Sequence, residues 1–132
     1  MILMTGAETK IKQLQHESET WKRDLGFTVE ENVALKNRLA EIISAAQVTP
    51  EFLQRLEAYQ NDFLAKDEAL RLIFTEIREW DKLLVTKQYL DGKETNGKLL
   101  TMQKRLSRAI EAFMNEFNRL KFDFNNYMSE TL

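Results

Sequence analysis

The sequence predicts an all-α fold, an elongated antiparallel up-down-up three-helix bundle with coiled-coil-like heptad packing. Three observations predict it. Apolar residues recur at every third and fourth position through three long tracts, the spacing that keeps one stripe of a helix facing a neighbour. Four Gly and one Pro leave room for few, short connections. The chain of 132 residues is 43% hydrophobic and carries eight Phe, three Tyr and two Trp, enough to bury the core of a single domain over residues 1–132.

The first helix is expected over about residues 5–46. Its seam reads Ile11, Leu14, Ser18, Trp21, Leu25, Thr28, Asn32, Leu35, Leu39, Ile42 and Ala46. Ser18, Thr28 and Asn32 make it the weakest of the three seams. Thr28 with Glu31 matches a capping box near Gly26, yet the heptad phase runs on across the glycine, so one continuous helix is expected. The polar seam suggests an alternative architecture, a dimer that shares or swaps the first helix, because Asn at such a position favours pairing of parallel chains.

Thr49 suits an N-cap and Pro50 the first helical position, opening a second helix over about 50–90. Its seam runs Phe52, Leu56, Tyr59, Phe63, Lys66, Leu70, Ile73, Ile77, Trp80, Leu84 and Lys87, and flanking apolar residues widen it enough to touch two neighbours. Asp91-Gly92 should stop it, with Lys93 to Gly97 a polar loop. The third helix, about 98–129, is rich in Phe: Leu99, Gln103, Leu106, Ile110, Phe113, Phe117, Leu120, Phe124 and Tyr127 line its seam. Carboxylates four residues ahead of cations, such as Glu19 to Arg23, Asp62 to Lys66 and Asp67 to Arg71, suggest solvated outer faces.

Short turns make consecutive helices antiparallel, in a rod roughly 60 Å long. Folding the first tract on the second sets Trp21 against Ile77 and Leu39 against Leu56. Folding the second on the third sets Phe63 against Phe124 and Tyr59 against Tyr127. Apolar meets apolar along both folds, and local pattern agrees with topology. The same registers bring together Asn32, Lys66 and Asp123, a candidate polar layer that fixes register.

The chemistry is sparse. With 19 basic and 21 acidic residues the formal net charge is -2, which gives no field for nucleic acid or an anionic membrane. There is no Cys, which rules out disulfides and thiolate chemistry and fits a cytoplasmic protein. No apolar run reaches the about 20 residues of a membrane span, and Met1-Ile2-Leu3-Met4 is too short for a signal peptide. His16, the one histidine, falls on the solvent side. Zinc and di-iron motifs and glycine-rich phosphate loops do not occur. No catalytic residue, metal site or cofactor is expected.

Two groups of side chains are candidates for contact with another molecule. Lys87, Lys93, Lys98, Lys104, Arg105 and Arg108 make a basic end for a phosphate or an acidic partner. Phe27 and Phe122 lie off the seams and are candidates for an exposed apolar contact. The expectation is a non-enzymatic scaffold, adaptor or oligomerisation module working through protein–protein contacts or self-association. The alternative is a sensor of a small molecule or anion.

The stretch Trp21-Lys22-Arg23-Asp24-Leu25, with Glu30-Glu31-Asn32-Val33-Ala34-Leu35-Lys36-Asn37-Arg38-Leu39, resembles small bacterial all-helical, coiled-coil-like proteins of similar length. That family is uncharacterised, so the resemblance implies a helical fold and brings no activity. The architecture is also similar in shape to spectrin-type three-helix repeats.

Overall fold

The computed structural model describes residues 6–45, 47–87 and 93–132. Among them are three helices: α1 (Gly6–Ala45), α2 (Pro50–Lys87) and α3 (Lys93–Thr131). Thr49 caps α2 as its sequence implies. Its Oγ1 accepts from the Phe52 N–H at 3.1 Å, and its carbonyl accepts the first helical bond from Leu53 at 2.9 Å. Pro50 therefore stands where its missing N–H costs nothing.

Two boundaries need correction or restriction. Lys93 to Gly97, expected as a loop, forms the start of α3. Charged and polar residues there carry no seam, so periodicity did not mark them, although Lys, Glu and Thr are all tolerated in a first helical turn. Met1 to Met4, Ala46 and the expected stop at Asp91-Gly92 lie outside the described residues.

Helix α1 is continuous through Gly26. Thr28 does not cap a second helix: its Oγ1 donates back to the Asp24 carbonyl at 3.2 Å, the bond a mid-helix threonine makes.

Side-chain pairings fix the topology. Ser18 meets Asp81 and Asn32 meets Asp67, so α1 and α2 are antiparallel. Tyr59 meets Phe124 and Lys66 meets Glu116, so α2 and α3 are antiparallel too. Glu17 receives Gln103 and Glu31 receives Lys121, which sets α3 parallel to α1. The core runs the length of the rod and includes both tryptophans, Trp21 and Trp80.

The α2–α3 seam is an aromatic ladder. Phe63 and Phe124 pack edge to face at 5.2 Å between centroids, as do Tyr59 and Phe124 at 5.3 Å, while Tyr59 and Tyr127 lie tilted at 5.7 Å. Each such pair adds about 0.5–1.5 kcal/mol beyond area burial. Large rings spaced along one seam hold these helices in register by shape alone.

A Cβ placed on Gly26 or Gly97 would meet nothing within 4 Å, and neither glycine has a positive φ. Gly26→Ala and Gly97→Ala should each raise the unfolding free energy by about 0.5–1 kcal/mol, because alanine loses less backbone entropy in a helix. Denaturation midpoints that fall instead would mean the helix is not formed at that position.

Candidate functional site

Heptad phase puts three polar residues on the inner side of α1, and each is buried: Ser18, Thr28 and Asn32. Burial without partners would cost each about 1–3 kcal/mol. For Ser18 and Asn32 the packed helix α2 supplies the acceptors. Asn32, 0% exposed, donates from Nδ2 to Asp67 Oδ1 at 2.7 Å and to the Phe63 carbonyl at 3.1 Å. The second Asp67 oxygen accepts from Lys36 Nζ at 2.6 Å. The amide orientation follows from these neighbours, since turning it would set Oδ1 against two acceptors.

One clamp repeats the other. Two heptads earlier on α1, Ser18 donates to Asp81 Oδ1, and Lys22 Nζ donates to Asp81 Oδ2 at 3.0 Å. In both places a seam residue and the lysine four positions on share one aspartate of α2. Thr28, between them, donates within its own helix to the Asp24 carbonyl, and its oxygen lies 3.4 Å from the sulfur of Met114 on α3.

The candidate layer of Asn32, Lys66 and Asp123 is therefore divided. Asn32 is served by Asp67, whose spacing ahead of Arg71 suggests instead a solvated face and a pair within α2. Lys66 turns to α3: its Nζ lies 3.3 Å from Glu116 Oε2 and 5.7 Å from the centre of the Phe113 ring. Asp123 is exposed, and its carbonyl accepts from the Tyr59 hydroxyl at 3.4 Å. Lys66 and Asp123 still line one open cleft between α2 and α3. Arg71, released from Asp67, pairs with Glu68.

Two buried side-chain atoms have no hydrogen-bond partner among the described residues, Asn32 Oδ1 and Trp80 Nε1.

Of the basic end, Lys98, Lys104, Arg105 and Arg108 are exposed along the first half of α3. The side chains of Lys87 and Lys93 lie outside the described residues. Phe27 and Phe122 are 58% and 64% exposed, on α1 and α3 respectively. His16 is exposed, and among the described residues no three His, Cys, Asp or Glu side chains gather as a metal-binding set. No described helix is long and apolar enough to cross a membrane. Comparison with protein-family models, with curated proteins and with solved structures returned no match.

Lys22 has its pKa raised, first by its hydrogen bond to Glu19 and then by that to Asp81, against a smaller effect of burial. A raised folded-state value means its contribution is fully present below the ordinary lysine range and lost as pH rises through the folded value. The contribution is at most about 1 kcal/mol, since the pair is partly solvated. Wild type should therefore lose its advantage over Lys22→Met only above about pH 10, as read by urea midpoints against pH. An advantage lost below neutrality would contradict this.

A double-mutant cycle on Asn32→Ala and Asp67→Ala should give a coupling of about 1.5–3 kcal/mol. Additive effects would mean that the two side chains do not share a bond in solution.

Proposed function

We propose that the chain is a non-enzymatic helical module that works through protein–protein contacts, as a scaffold, adaptor or oligomerisation unit. The observation that carries this reading is the pair Phe27 and Phe122. Each leaves more than half of a large apolar ring in water, while other rings of the chain fill a continuous core. Scattered small apolar residues on a surface need no explanation, but exposed phenylalanine is well suited to a protein contact. The clamps support the same reading, because a stiff rod presents its surface residues at fixed spacing.

A second reading is favoured by one further observation. Lys98, Lys104, Arg105 and Arg108 are exposed, and none is in an ion pair among the described residues. They could take an anion, most simply a phosphate group.

The module reading predicts that a partner co-purifying with the tagged chain from its own cells is lost with Phe27→Ser and Phe122→Ser together, at unchanged thermal stability. Retention of the partner would count against these rings. The anion reading predicts that saturating inorganic polyphosphate raises the melting temperature, by several kcal/mol equivalent at about a thousand times the dissociation constant. No shift removes it.

A further inference from the structure

The groove between α2 and α3, on the side away from α1, is lined by three clefts that follow one another along the rod. Hydrogen bonds from Lys66 to Glu116 and from Tyr59 to the Asp123 carbonyl set the level of α3 beside α2. At that register Asp62 of α2 stands level with Arg119 of α3, and Glu76 with Arg105. Midway between these levels, two heptads apart, Ala69 stands level with Ala112. Asp62 and Arg119 line one cleft, and Glu76 and Arg105 line another. Among the described residues none of these four charges is in an ion pair. In the first cleft Lys66 of α2 and Glu116 of α3 neutralise each other, and Asp123 lies one turn beyond Arg119. The unpaired charges that remain level with one another set acid on α2 beside base on α3 at both ends, with alanine between.

That arrangement is self-complementary under one symmetry. A two-fold axis running along the rod would lay α2 of one copy on α3 of the other without changing level. Asp62 then meets Arg119 of the second copy, Ala69 meets Ala112, and Glu76 meets Arg105, each contact made twice as isologous pairing requires. A two-fold axis across the rod would instead bring Asp62 towards Glu76 and Arg119 towards Arg105. Like charges at those contacts oppose docking. Ala112 is exposed and Ala69 half-buried, and such small side chains let the backbones come close. A face about 36 Å long and two helices wide offers roughly 700 Å² per copy, close to the about 800 Å² of a stable interface.

We propose that a second copy of this chain docks on the α2–α3 groove, parallel to the first, through Asp62–Arg119 and Glu76–Arg105 pairs about an Ala69–Ala112 centre. This rests on the reading of the chain as a protein-contact module and names one partner for it.

Sedimentation equilibrium of the whole chain tests it. The mass should rise with concentration from 15.6 kDa towards twice that value. Ala112→Glu, and separately Arg119→Asp, should raise the dissociation constant at least about tenfold with an unchanged melting temperature. Combining Asp62→Arg with Arg119→Asp should restore the dimer. Because the chain has no Cys, introduced cysteines report orientation cleanly. Ala69→Cys mixed with Ala112→Cys should cross-link between copies, and Ala69→Cys alone should not. A mass that stays at 15.6 kDa up to about 1 mM overturns the proposal, as does a dimer indifferent to Ala112→Glu. A monomer that still binds a different protein through Phe27 and Phe122 overturns self-docking and leaves the module reading standing.

Discussion

Asp67 of α2 accepts from Asn32 and Lys36 of α1 together, and the register of the α1–α2 hairpin depends on it. An apolar heptad seam is nearly indifferent to a slip of seven residues, because leucine replaces leucine. The aspartate is not indifferent. A slip by one heptad would bring it opposite Leu25 or Leu39, and would set buried Asn32 opposite Phe74 or Gln60. Each move strands polar groups at about 1–3 kcal/mol apiece. The bond set therefore contributes more to choosing one arrangement than to the depth of the native state, a use for which polar seam residues are well attested.

The second clamp, Ser18 and Lys22 on Asp81, lies two heptads from the first on both helices. A slip of that size would keep one clamp but leave about 21 Å of helix without a neighbour. Lost apolar burial forbids it. Polar pairing thus excludes the short slip, and hydrophobic overlap excludes the long one. Along the α2–α3 seam the aromatic ladder does the same work by shape, and α1 and α3 are tied by Glu31–Lys121 at 2.6 Å and by Arg38 donating to Asn125 at 3.0 Å. The result is a rod whose outer residues keep fixed levels, which both a docking face and a recognition surface require.

Much of this was legible in the residues. Heptad spacing located the three helices, Thr49-Pro50 located the start of α2, and the fold-back register paired Tyr59 with Tyr127 and Phe63 with Phe124. The polar layer was legible only in part. The heptad phase marks Asn32 as a buried seam residue, but the seams offer Lys66 and Asp123 as its partners. Asp67 and Asp81 sit beside the seam, where carboxylates usually face water and pair within their own helix. The signal that finds them is the matched interval: Ser18 to Asn32, Lys22 to Lys36, and Asp67 to Asp81 are all two heptads. The opening of α3 was missed for a different reason, since a polar first turn buries nothing and leaves no period to read.

The central claim is that these clamps hold α1 in one register on α2. Distance measurement by pulsed electron resonance tests it most directly, with nitroxides on Val33→Cys and Leu64→Cys, both exposed positions that face each other's level across the hairpin. The native chain should give a single narrow distance. Ser18→Ala and Asn32→Leu combined with Asp67→Ala and Asp81→Ala, which remove the lysine pairs as well, should broaden it or add a second distance one heptad longer. A narrow distance that survives loss of both clamps would show that apolar packing alone sets the register.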